Sequence, residues 1–160
     1  MMQEVLERIP ELKENERTIV STRVFHASRR MVYRAFAHPK HLVQWWWPHG
    51  FTTTVLEMDL RTGGKWRIVM HGPDGTNYPH EMAFTSVVPF ERVELELAGV
   101  REGSGPVPQY ETITWKDEDG GTRLTLSSHF DNVRSYGAVQ GTRDLFERLT
   151  KFLASKGVAA

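Results

Sequence analysis

The feature that most constrains this chain is a change of hydrophobic period near its end. From about residue 51 to residue 130, apolar side chains recur at every second position. From about residue 135 to residue 154 they recur at every third and fourth. In that last stretch Val139, Thr142, Leu145, Leu149 and Phe152 form a stripe, with Phe146 and Leu153 beside it. Arg143, Asp144, Glu147, Arg148 and Lys151 fill the other side. This is the pattern of an amphipathic helix. Burying about six such side chains is worth on the order of 10 kcal/mol as an upper bound, so the helix needs a partner surface. Roughly eighteen residues at ~1.5 Å span about 27 Å, close to the length of an eight-residue strand at ~3.3 Å per residue. The pattern predicts a sheet curled around a terminal helix.

The rest of the chain supplies that sheet. Residues 18–26 are rich in β-branched side chains and read as a first strand, with a facing left open because Val24 and Phe25 are adjacent and both large. Ser28 is placed to cap a helix running to about Ala37, and His38-Pro39 ends it. Pro39 then suits the first position of a second short helix carrying Leu42, Val43 and Trp45. Of Trp45, Trp46 and Trp47, which close that helix, at least one should face inward and one outward.

Six strands follow. Residues 51–60 place Leu56, Met58 and Leu60 on one face. Residues 65–71 place Trp66, Ile68 and Met70 inward, with Lys65, Arg67 and His71 in water. Residues 78–88 turn Met82 and Phe84 to the same face, and residues 92–98 do so with Val93, Leu95 and Leu97. A last hairpin over residues 110–116 and 122–130 aligns Ile113, Trp115, Leu124, Leu126 and Phe130, its turn read as residues 117–121. Short turns make neighbouring strands antiparallel, and one apolar face implies one solvated face.

Length and charge narrow the functional classes. The 160 residues suit a single domain at 17–156, with a leader at 1–16 and a tail at 157–160. Twenty basic and twenty acidic residues cancel, so no net field favours nucleic acid or an anionic membrane. No apolar run approaches the ~20 residues of a membrane span. The N-terminus lacks the apolar core of a signal peptide, and the chain has no cysteine. Both features point to the cytoplasm.

Several segments together carry a resemblance. They are Phe25-His26-Ala27-Ser28 with Val32 and Phe36, then Pro39, Leu42 and Gln44-Trp45-Trp46-Trp47-Pro48. They continue through Asp59-Leu60-Arg61-Thr62-Gly63-Gly64-Lys65-Trp66-Arg67 and Met70-His71-Gly72-Pro73-Asp74-Gly75 to Val88-Pro89-Phe90-Glu91-Arg92. In that order they resemble the bacterial family named for homology to the activator of Hsp90 ATPase, within the Bet v 1/START-like helix-grip superfamily. The resemblance covers about residues 17–155. It implies an α+β helix-grip fold: a curved seven-stranded antiparallel sheet around a long C-terminal helix, two short helices after strand 1, and a cavity between sheet and helix. It implies no single reaction. Trp47 stands where the family usually has glycine, and Thr142 where it has a tryptophan nearby. Both changes should reshape the cavity. The single domain expected here omits the additional N-terminal domain of the eukaryotic co-chaperone.

The candidate site follows from these faces. Trp46, Trp66, Ile68, Met70, Met82, Phe84, Trp115, Leu126, Phe130, Thr142, Leu145 and Leu149 should line the interior, either as the wall of a pocket for a hydrophobic small molecule or as plain core. Counting by twos brings His80 inward from Met82, and Glu111 inward from Ile113. These two are the candidate polar or catalytic groups, unless they are strand ends that have drifted into water. Three functions remain: ligand binding, a polyketide cyclase/aromatase-like enzyme, and a co-chaperone-like module that binds an Hsp90-type chaperone. A homodimer through an edge strand is a further partner reading. No cofactor is implied. The histidines give no metal motif, since Pro39 separates His38 from His41 and no H-E-x-x-H occurs. Gly63-Gly64 and Gly72-x-x-Gly75 lie between strands and read as turns rather than phosphate cradles, with the Asp59 side chain stabilising the first in an Asx-type role.

Overall fold

The computed structural model describes residues 18–47, 50–99, 110–129 and 136–156, with residues 99 and 136–144 described by their backbone alone. Among these the order is β1 (Thr18–Phe25), α1 (Arg29–Ala37), α2 (Pro39–Leu42), β2 (Thr52–Met58), β3 (Lys65–His71), β4 (Asn77–Val88), β5 (Arg92–Gly99), β6 (Tyr110–Glu118), β7 (Gly121–His129) and α3 (Tyr136–Ser155). The leader, the tail, the loop after β5 and Phe130 lie outside the described residues.

The seven strands form one curved antiparallel sheet in the order β1-β7-β6-β5-β4-β3-β2. This is the helix-grip arrangement that the resemblance implies, ending in the helix that the change of period predicts. β1 and β2 are consecutive strands at opposite edges, about 29 Å apart if the sheet were flat. The segment carrying α1 and α2 bridges that width. Ser28 caps α1 by accepting from the Met31 N–H at 3.1 Å. His38 ends α1 and caps α2, its Nδ1 accepting from the Lys40 N–H at 3.3 Å.

The inner face keeps strict alternation through most of the sheet. Trp66 and Ile68, Met82 and Phe84, Val93 and Leu95, Ile113 and Trp115, and Leu124 and Leu126 are all buried. In β1 the inward residue is Phe25, whose ring meets Phe146 of α3 edge-on at 5.7 Å; Val24 is half-exposed. Leu149, Phe152 and Leu153 complete the buried stripe of α3.

Four expectations need correction. Leu56 is 54% exposed, because the β2–β3 register shifts between Val55 and Glu57. The extra residue moves Leu56 to the solvent face and leaves Thr53 and Val55 inward. α2 stops at Leu42, and the tryptophans beyond it are held by turn hydrogen bonds, Trp45 and Trp46 donating to the Leu42 carbonyl and Trp47 to that of Trp45. The β6–β7 turn is two residues, Asp119 and Gly120, both at positive φ, the geometry of a tight hairpin. The Asp59 carboxylate accepts from Arg61 Nε at 2.8 Å, while its backbone carbonyl accepts the Arg61 N–H at 2.9 Å. That carbonyl packs so closely on Gly64 that a Cβ there would collide with it.

Candidate functional site

The interior is built around a column of aromatic rings. Trp66 stacks on Phe84 at 5.8 Å and meets Phe36 and Trp46 edge-on at 5.6 and 5.4 Å. Phe36 continues to Trp115 at 5.7 Å, and Trp115 to Tyr33 at 4.8 Å. α1 supplies Phe36 and Tyr33 from one face, and the turn after α2 supplies Trp45 and Trp46. Thr53 Oγ1 donates to the Trp46 carbonyl at 2.5 Å, and Trp45 Nε1 donates to the Ala35 carbonyl at 2.9 Å. Trp47 is the outer member of the three. Its ring lies under the Arg148 guanidinium at 5.3 Å, and its carbonyl accepts from Arg148 at 2.7 Å, which ties α3 to this turn.

Two donors in this column are unsatisfied. The indole N–H groups of Trp66 and Trp115 are buried without a partner. An unmet buried donor costs about 1–3 kcal/mol. Trp115 lines a small internal void together with Phe36, Trp46, Leu126, Leu145 and Phe146, where sheet, α1 and α3 meet. The void measures about 10 Å³. That is room for about one water.

Glu111 is the one buried acid among the described residues, 7% exposed on the inner face of β6. Its neighbours along the row are Leu95 and Ser128. Ser128 Oγ donates to its carboxyl at 2.7 Å. Burial pushes the carboxyl up to about 7, against the smaller downward pull of the Ser128 hydrogen bond. His80 also falls on the inner face, opposite Ile68, and is half-exposed. The structure does not bring the two together. The row through Glu111 reaches β4 at Phe84, four positions from His80.

Of the predicted lining, Trp46, Trp66, Ile68, Met82, Phe84, Trp115, Leu126, Leu145 and Leu149 are buried in the interior. Met70, like Val55, Met58 and Leu97, is half-exposed and packs partly buried against the core. Phe130 and the Thr142 side chain lie outside the described residues. The void gathers Trp46, Trp115, Leu126 and Leu145, and adds Phe36, Trp45, Ile113, Leu124 and Phe146. Phe146 could have been found from its place beside the helical stripe, and Ile113 and Leu124 from their strand parity. Phe36 and Trp45 depend on how α1 crosses the sheet, which no periodicity encodes. Among the described residues no cluster of histidines and acids is grouped to hold a metal ion, and no helix is long and apolar enough to cross a membrane.

Comparison with known proteins agrees with this architecture. Residues 26–154 match the family model described as activator of Hsp90 ATPase homolog 1-like protein. No curated protein matches the chain. Among solved structures, a protein from Chromobacterium violaceum is 27% identical, with a TM-score of 0.76 over 84% of this chain and 95% of that one. A Nitrosomonas europaea protein is 22% identical, with a TM-score of 0.78 over 92% of this chain and 100% of that one. A Mycobacterium smegmatis protein is 24% identical, with a TM-score of 0.76 over 91% and 96%.

Proposed function

The chain belongs to the activator of Hsp90 ATPase homolog 1-like family, and on that premise we propose that it binds a small, largely apolar molecule carrying an acceptor oxygen. The observation that carries this reading is the pair of buried, unpartnered indole N–H groups at Trp66 and Trp115 in an otherwise apolar interior. A carbonyl or ether oxygen would take the place of the one water for which the void beside Trp115 has room, the rest of the ligand lying along the partly covered margin of the sheet. The ligand would enter along the β2–β5 margin, where Val55, Met58, Met70 and Leu97 are partly buried against the core. His80 and Tyr78 are the polar groups along that margin.

Tryptophan emission and thermal unfolding test the proposal directly. A panel of fatty acids, aromatic ketones and polyketide-like compounds should contain members that shift emission and raise Tm. Stabilisation should reach about 2.7 kcal/mol at a hundredfold excess over Kd. No response across the panel would overturn it.

Glu111 favours a second reading, that of a cyclase-like enzyme. A carboxyl poised near 7 can give and take a proton near neutral pH. Its separation from His80 limits that chemistry to one acid–base group. Under this reading Glu111→Gln removes turnover of a bound polyketide-like substrate and leaves its affinity within about twofold. Loss of both together would reject the catalytic role.

A further inference from the structure

The face of α1 turned away from the core carries a second site. Val32, Tyr33, Ala35 and Phe36 are buried, and Arg30, Met31 and Arg34 are exposed on the other side. With Ser28, His41, Phe152 and Lys156 they line a surface groove of about 360 Å³. That is the volume of a small-molecule site, which runs from about 300 Å³ upward.

The groove has an apolar floor and a basic rim. Met31, 37% exposed, and the Phe152 ring form the floor. The His41 ring lies 5.3 Å from Phe152 and stacks on His38 at 4.6 Å, and Lys156 Nζ sits 5.4 Å from the Phe152 ring centre. Arg29, Arg61, Arg67, Arg92 and Arg123 each pair with a carboxylate. Among the described residues Arg30, Arg34 and Lys156 do not. Burial, then the like charges of His38, Lys156 and Arg34, hold His41 below the usual histidine range, against a hydrogen bond from its ring to the Arg34 backbone. The groove therefore concentrates positive potential in a partly dehydrated pocket.

We propose that this groove binds a small organic carboxylate. Its charged group is held by Arg30, Arg34 and Lys156, and its ring or short chain lies on Met31 and Phe152. Arginine suits this role because its planar fork matches a carboxylate with two parallel hydrogen bonds. The groove lies on the far side of α1 from the aromatic interior, so the proposal stands or falls independently of the ligand proposed above.

Phenylpropionate is a suitable probe, followed by proton–nitrogen NMR of the full chain. Its addition should move the resonances of Met31, His41 and Lys156 and raise the pKa of His41, as a nearby anion does. Uncharged phenylpropionamide and inorganic phosphate should each bind at least about tenfold more weakly. The double variant Arg30→Gln/Arg34→Gln should lose at least about tenfold in affinity with an unchanged Tm, because both side chains are exposed. The proposal is overturned if these resonances stay still up to about 10 mM phenylpropionate, a concentration that reveals even weak sites. It is overturned equally if the amide or phosphate binds as well as the acid, if the double variant keeps its affinity, or if only a glutamate-rich peptide occupies the groove.

Discussion

The inner face of the sheet is two regions with different packing. On the β1, β6 and β7 side, Trp115, Leu124, Leu126, Phe146 and Leu149 are buried under α1 and α3, leaving about 10 Å³ of empty space. On the β2–β4 side the same alternation continues, yet Val55, Met58, Met70, His80 and Tyr78 stay half-exposed. Both halves obey one sequence rule; among the described residues Phe36 of α1 and Trp46 reach across to Trp66, while these five side chains stay only partly covered. α3 packs against β1 and α1, and α1 against β6 and β7. The closed half supplies stability, and under the proposed function the partly covered half is where the ligand would enter.

The largest test of that contrast is Trp115→Ala. It should cost about 3–5 kcal/mol in urea unfolding, as truncation of a buried tryptophan does. A loss below about 1 kcal/mol would mean the closed half is not close-packed. Next comes pH. Glu111 is pushed up to about 7 in the folded protein from an ordinary 4.5. The unfolded chain therefore holds fewer protons at this site between those values, and stability falls as pH rises through that window. The contribution is present below about pH 4.5, is lost by about pH 7, and is on the order of 3 kcal/mol. Glu111→Gln should flatten that slope; an unchanged slope would assign the titration elsewhere. Met70→Ala should cost only about 1 kcal/mol in stability while weakening a bound apolar ligand about tenfold, the reverse of the balance at Trp115. A larger stability loss than that at Trp115 would erase the distinction between the halves. The smallest effect belongs to the outer face. Arg67 lies 3.8 Å from Glu57 and 3.6 Å from Glu81, with all three side chains about half-exposed. Arg67→Ala should change stability by about 0.5 kcal/mol or less.

Much of the fold was legible because the chain keeps its periods. Strict alternation at Trp66 and Ile68, or at Ile113 and Trp115, allows only one facing once the core side is chosen. The same count carried Glu111 inward from Trp115, and its burial follows. Leu56 was misread because a bulge inserts a residue without altering composition, and every parity beyond it slips by one. The separation of His80 from Glu111 was hidden for a different reason. Parity gives the face of a residue but not its row, and the row depends on registers and bulges across β4, β5 and β6. The groove on α1 was invisible too, since it joins Arg30 and Arg34 to Lys156 across more than a hundred residues of chain.

The edge position of β1 has a consequence for biosynthesis. Among the described residues β1 pairs only with β7, Thr18 lying opposite His129 and Phe25 opposite Thr122. On a translating ribosome β1 emerges before its partner, which is made about a hundred residues later. At roughly 5–20 residues per second that delay lasts about 5–20 s. Throughout it Ile19 and Phe25 have no strand to dock against, so the nascent chain presents a sticky, unzipped edge until the final hairpin arrives.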